Sequence, residues 1–222
     1  MRPTVLLDAT DPWIRWSWVT GHTDRILGDL GQHLELTLIA IAVGMVLAVP
    51  IGVLAWRFRR SRGPVLAIGG AFYTIPSLAL FALLVPWTGL TVLTSEIGLV
   101  AYTLLILVRN IVVGLDGVPD EVRDAAAGMG YRPGRQLLRV ELPLALPVIF
   151  AGLRIATVTT IGLVTITALI GQGGLGELLL DGLIRDFKTP LVVGASLSVG
   201  LAIVLDVGLA LGQRLLTPWM HA

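Results

Sequence analysis

The chain reads as an all-α integral membrane protein with five transmembrane helices, and three observations carry that reading. Hydrophobic residues make up 55% of its 222 positions, charged residues only 14%, and the mean hydropathy is +0.85. Soluble domains carry roughly 25% charged residues. Five apolar runs are long enough to cross a hydrocarbon core, which takes about 20 residues of helix. Between the third and fourth runs lies a polar, arginine-rich stretch of water-soluble character.

The first span is Leu36 to Trp56. The second is Val65 to Trp87, broken by Pro76, which can neither donate an amide hydrogen nor let the preceding residue stay helical. The third is Ile97 to Leu115, with Arg109 and Asn110 near its end. The fourth, Leu142 to Ile170, exceeds the core thickness and should tilt or project from it. The fifth is Leu191 to Leu211, with Asp206 inside it. Small residues recur in all five, as close helix packing in lipid requires.

The distribution of Lys and Arg sets the expected orientation. Arg57, Arg59, Arg60 and Arg62 follow span one, Arg123, Arg132, Arg135 and Arg139 lie between spans three and four, and Arg214 follows span five. These nine point to the cytoplasm. Arg2, Arg15, Arg25, Arg185 and Lys188 fall on the other face, and Arg109 and Arg154 lie in spans. The expected N-terminus is outside and the C-terminus inside. No cleavable signal peptide is evident in residues 1–32, so span one is expected to act as the insertion signal. Trp13, Trp16 and Trp18 suit a short interfacial helix; an aromatic cage for a quaternary ammonium group is the alternative.

Several chemistries are excluded. There is no cysteine, and the net charge of +1 leaves no nucleic-acid footprint. No phosphate-binding Gly-x-x-x-x-Gly-Lys-Ser/Thr loop occurs. His22, His33 and His221 are too scattered for a metal site, and no His lies in an expected span, which argues against an intramembrane enzyme. Arg109, Arg154 and Asp206 are ionisable groups in apolar runs, where such groups are expensive. The arginines can snorkel to headgroups or pair with Asp206, and a structural pair is favoured over a proton relay. Tyr73, Thr74, Pro76 and Ser77 interrupt span two and are candidates for a translocation path, with a packing kink as the alternative. Gly171, Gln172, Gly173, Gly174 and Gly176 form a glycine-rich outer loop, either a flexible turn or an outer gate and binding-protein contact.

The polar stretch after span three carries the most specific pattern. Pro119 suits a first helical turn, and Asp120, Glu121 and Asp124 place negative charge at its positive end. Gly128 and Gly130 stop that helix, Arg132-Pro133-Gly134 turns, and Arg135 to Leu142 forms a second helix before Pro143 opens the next apolar run. Within it, Asp124-Ala125-Ala126 is followed after three residues by Gly130, after nine more by Val140, then by Glu141 and Leu142-Pro143. This spacing resembles the EAA loop of inner-membrane permease subunits of ABC importers, with Asp124 in place of Glu and Val140 in place of Ile. An ordinary amphipathic connector is the bland alternative. A channel or scaffold protein would not need the pattern.

Further similarity covers about residues 33 to 213. His33-Leu34-Glu35-Leu36-Thr37, Pro50-Ile51-Gly52 and the Ile170-to-Gly176 run with Gly182-Leu183 are similar to segments of permeases for glycine betaine, carnitine, choline and proline. Methionine-type permeases share the compact five-span core. The resemblance implies the type I ABC importer permease fold in a bacterial inner membrane. With the charge distribution, the expected division is an extracytoplasmic or interfacial N-terminal segment at 1–32, an ABC permease transmembrane domain at 33–213 with a cytoplasmic coupling loop at 116–143, and a cytoplasmic tail at 214–222. The resemblance implies no catalytic residue or cofactor in this chain, with ATP and magnesium held by two cytoplasmic ATPase subunits. The other implied partners are a second permease subunit, identical or homologous, an extracytoplasmic substrate-binding protein, and membrane lipid. In this reading Asp124, Ala125, Ala126, Gly130, Val140, Leu142 and Pro143 couple ATPase motion to alternating access.

Overall fold

A computed structural model of the chain describes residues 12–220. Arg2, counted above on the outer face, and His221 lie outside the described residues. Every regular element among those described is a helix. Four are long and apolar enough to cross a membrane, and a bent pair passes the same test when taken together, giving up to five spans.

A short α1 (Trp16–Gly21) leads into α2 (Thr23–Arg57). Helix α2 has 35 residues, so it starts well before the expected span, and the boundary drawn at residue 33 falls inside it. Its N-terminal turns persist because they are packed. Ile26 is buried against Leu175 and Leu178, and His33 is fully buried with its Nε2 3.1 Å from the carbonyl of Ile161. The second apolar run divides into α3 (Arg59–Thr74) and α4 (Ser77–Thr88), bent by 94° across Ile75 and Pro76. The expected break is therefore a sharp corner.

Helix α5 (Val92–Asp116) is the central element, packed against α2, α3, α4 and the later α8. It begins five residues earlier than the apolar run suggested, because Thr91 caps it by accepting from the amide of Thr94. Small residues set its distances to neighbours. A Cβ on Gly44 of α2 would lie 2.6 Å from Thr103 Oγ1, and one on Gly52 2.7 Å from Ile111 Cγ2. These two pairs run in the same chain direction, so α2 and α5 are parallel. A Cβ on Gly98 would lie 2.3 Å from the ring of Phe81 in α4.

After α6 (Asp120–Gly128) the chain enters α7 (Pro133–Gln136), which continues through a π-helical turn at Leu137–Glu141 into α8 (Leu142–Ile166). With a closing 3-10 turn at Thr167–Ile170 this forms one apolar stretch, Pro133–Ile170. Pro143 was expected to separate a short helix from the span. Instead the helix passes through it, because the wide π turn just before Pro143 accommodates the missing amide bond and the proline ring. Helix α8 runs antiparallel to α5, with Gly114 facing Ala145 and Gly152 facing Asn110. Helix α9 (Leu175–Ile184) and α10 (Lys188–Leu216) complete the chain, with α10 lying against α8 and α9. The boundary drawn at residue 214 falls within α10.

The α5–α8 seam gives a direct test of this packing. A Cβ on Gly152 would lie 2.3 Å from Asn110 Cβ, whereas Gly162 on the same helix has open space. Gly152→Ala is expected to cost about 1–3 kcal/mol through overpacking, while Gly162→Ala is neutral or stabilising by helix propensity. Thermal unfolding midpoints in detergent check this; equal midpoints for the two variants would contradict the seam.

Candidate functional site

The polar loop between α5 and α8 is built around one buried contact. Helix α6 is too short to hold itself. Its Arg123 donates from Nη1 to Asp120 Oδ1 at 2.7 Å and from Nη2 to the carbonyl of Leu115 at 2.6 Å. The guanidinium lies over the Trp56 ring at 5.6 Å, and its Nε is 3.8 Å from Glu141 Oε1. Glu141, only 4% exposed, also accepts from Gln136 Nε2 at 2.9 Å. One side chain thus ties α6 to the ends of α2, α5 and α8. The cation–π contact and the ion pair are both partly shielded from water, which strengthens them. Arg62 adds a 2.5 Å ion pair to Asp116, joining α3 to α5 beside this hub. Two clefts of about 570 and 550 Å³ flank Arg123, lined by Arg59 and Asp116 on both sides.

The loop's turn has the geometry its glycine suggested. Gly130 has φ +82°, Tyr131 donates its amide to Ala126 O at 3.1 Å, and Gly130 donates to Ala127 O at 2.9 Å. This is a Schellman end with glycine in the left-handed position. Of the motif residues, Asp124, Ala125 and Gly130 are exposed, as is Met129. Val140, Leu142 and Pro143 are half-buried at the start of the long helix. Ala126 is 1% exposed and packs inward. Its small size therefore serves the seat of α6 on its own chain, and only Ala125 of that pair is on the free face. Arg123 and Glu141 were not singled out by spacing. Their signal was an arginine directly before the motif and a glutamate inside it flanked by apolar Val140 and Leu142.

The candidate path residues stand at the α3–α4 corner. Tyr73, Thr74 and Pro76 are exposed and Ser77 is half-buried. Thr74 Oγ1 donates to Ala71 O at 2.7 Å, and the Tyr102 hydroxyl donates to the carbonyl of Ile75. Tyr73 and Tyr102 meet edge to face at 5.8 Å. The corner is thus held open by α5 and keeps a polar surface.

The glycine-rich loop is packed against its neighbours. Gly171 has φ +73° and Gly174 φ +50°, and a Cβ on Gly174 would lie 2.7 Å from the Asp29 carbonyl. The amide of Gly174 donates to Gln32 Oε1 at 3.1 Å and that of Gly173 to Glu177 Oε1 at 3.2 Å. Gly173, Gly174 and Gly176 are buried, Gln172 is half-buried and Gly171 is exposed. The loop clasps α2 to α9, helped by Arg25 Nη1 and Asp181 Oδ2 at 3.1 Å.

The tryptophans are divided. Trp18 stacks on His22 and meets Phe187 edge to face, while Trp13 and Trp16 are exposed. Arg109 is exposed, and Arg154, not Arg109, pairs with Asp206. Glu96, near the N-terminal end of α5, has both carboxylate oxygens buried without a hydrogen-bond partner. Spacing missed it because it sat just outside the expected span. Among the described residues no group of three or more His, Asp or Glu is arranged to hold a metal ion.

The family model for the binding-protein-dependent transport system inner membrane component matches residues 33–220, so it takes in the loop, the corner and the clasp together. The chain belongs to that family. This permease is 42% identical over 192 residues to the osmoprotectant import permease protein OsmW of Salmonella typhimurium, covering 84% of this chain and 89% of the relative. It is 35% identical over 195 residues to the glycine betaine/carnitine/choline transport system permease protein OpuCB of Bacillus subtilis, covering 87% and 89%. An inward-facing structure of the MetNI methionine ABC transporter superposes with a TM-score of 0.79 at 22% identity, over 89% of this permease and 98% of that chain. The likeness establishes the expected type I importer permease fold. The family is one of transport subunits rather than enzymes.

The Arg123 hub predicts how the loop responds to mutation. Arg123→Gln should free α6 and speed tryptic cleavage at the exposed Arg135 several-fold in the detergent-solubilised permease. Adding Glu141→Gln, which removes the stranded buried charge, should restore much of the protection. Unchanged cleavage in the single variant would show that the hub does not seat the loop.

Proposed function

We propose that this chain is the membrane subunit of an ATP-driven importer for quaternary ammonium osmoprotectants such as glycine betaine, carnitine or choline. The observation that carries the substrate class is the 35–42% identity, over most of both chains, to permeases named for those compounds. The methionine transporter is similar at 22% identity, which speaks to the fold alone. The same path could serve an amino acid, so the amino-acid importer is the reading to test against.

The chain does no covalent chemistry in this mechanism. ATP and magnesium are bound by two cytoplasmic ATPase subunits, and a second permease subunit completes the path. ATPase closure moves the loop at Asp124–Pro143, and the long helix that starts at Pro133 carries the displacement into the membrane as a rigid body. Asp124, Ala125, Gly130 and Met129 are the surface offered to the ATPase; Ala126, Val140, Leu142 and Pro143 hold that surface on the lever. What supports the coupling role is an exposed face on a helix anchored through one arginine. The polar corner at Tyr73–Ser77 is the place where the path is exposed to one side or the other. On the outer side, Gly171 and Gln172 are the accessible part of the contact for a substrate-loaded binding protein, and the buried glycines keep that part rigid. Trp13 and Trp16 anchor the N-terminal segment at the interface. The nine cytoplasmic arginines set the N-terminus outside and the C-terminus inside a bacterial inner membrane.

Two outcomes are expected. A single cysteine at Arg132 should be protected from an impermeant thiol reagent in spheroplasts, and one at Gly28 should be labelled; the reverse pattern would overturn the orientation. Radiolabelled glycine betaine or choline should enter proteoliposomes holding the complete complex with its binding protein and internal ATP. Gly130→Val should insert normally but lose most uptake, because a β-branched residue is strained at φ +82°. Methionine uptake without uptake of any quaternary compound would move the chain to the amino-acid reading.

A further inference from the structure

The ion pair between α8 and α10 has a property that a packing contact does not require. Arg154 Nε and Nη2 donate to Asp206 Oδ1 and Oδ2, each at 2.7 Å, a bidentate fork. Yet the side chains are 35% and 32% exposed. Arg154 is the middle residue of the 25-residue α8, roughly 18 Å from either end at the helical rise. Asp206 lies ten residues before the end of α10 at Leu216, or roughly 15 Å. Both residues lie within the apolar spans, Arg154 near the middle of Leu142–Ile170 and Asp206 five residues from the end of Leu191–Leu211, where the surroundings of an unpartnered face are hydrocarbon. A charged pair one-third open to hydrocarbon is expensive, so its face meets water or protein.

We infer that Arg154 and Asp206 form a low-affinity site in the translocation path for zwitterions that carry a quaternary ammonium and a carboxylate. The inference rests on the substrate class proposed above and names how the membrane subunit would recognise it. The two side chains present the complement of such a ligand, a planar guanidinium for its carboxylate and a carboxylate for its cationic end. A quaternary nitrogen donates no hydrogen bond, so its contact with Asp206 is electrostatic and undirected. At rest each residue neutralises the other. With a zwitterion bound the site is still neutral, and on release the fork closes again, so the ligand is not trapped. A simple cation such as choline takes Asp206 and leaves Arg154 without a counter-charge. The site therefore favours betaines over simple cations at the membrane step.

The test is uptake of radiolabelled glycine betaine and choline by the complete complex in proteoliposomes, comparing wild type, Arg154→Gln and Asp206→Asn. Taking the betaine-to-choline ratio relative to wild type cancels the selectivity of the binding protein. Arg154→Gln should lower betaine uptake roughly tenfold or more while choline uptake is kept or raised. Asp206→Asn should lower both. Equal loss of both substrates in Arg154→Gln, or no loss in either variant, overturns the inference. So does loss of both with dissociation of the complex in gel filtration, which would make the pair a contact between permease copies, provided Arg154→Lys assembles with an unchanged ratio. If Arg154→Gln does not assemble, the assembled Arg154→Lys, which keeps the charge without the fork, should still shift the ratio toward choline. A wild-type complex that imports neither compound fails earlier, on the substrate class itself, and takes this site with it.

Discussion

Hydrocarbon offers no partner to a backbone amide or carbonyl, and the architecture of this chain follows from that constraint. Apolar stretches become helices, and long ones, because each turn satisfies the turn before it. Among the described residues, the sharp break in a span at Ile75 and Pro76 brings its own remedy. Tyr102 of the central helix donates to the carbonyl that the corner exposes. Where Pro143 would break α8, a π turn redistributes the bonds so that the helix continues.

With hydrocarbon on both sides of an interface, apolar burial alone does not hold helices together, and close packing takes over. The contacts of α5 illustrate this. Gly44 and Gly52 let α2 approach Thr103 and Ile111, Gly98 takes the Phe81 ring, and Gly152 of α8 takes Asn110. Each approach is closer than any side chain at the glycine would permit. The same device serves the loop at Gly173–Gly176, whose backbone lies directly against α2 and α8.

Ionisable groups make the contacts that glycine packing does not. Arg123 holds a short, water-exposed helix against three span ends by combining a ring face, a carbonyl and a buried carboxylate. Since that arginine also borders the π turn leading into α8, a force applied to the exposed face of α6 reaches a continuous helix. Arg154 and Asp206 occupy the opposite situation, deep along their helices and open on one side. Glu96 shows the cost that remains unresolved within a single chain, a carboxylate with no protein partner.

Hydropathy and spacing alone determined much of this protein. The all-helical class, the four clear spans, the interruption of another and the turn at Gly130 follow from local chemistry, in which apolar length, proline geometry and a left-handed glycine act within a few residues. The loop spacing from Asp124 to Pro143 likewise carried the family. Tertiary structure decided what depends on residues distant in sequence. It carried α2 out to Thr23, because Ile26 and His33 find partners in α8 and α9 that no local pattern reveals. It turned Ala126 inward, made the glycine loop a clasp, and chose Arg154 over Arg109 as the partner of Asp206. Such choices rest on which side chains meet across helices, and a one-dimensional pattern holds the period of a face without saying what lies opposite it.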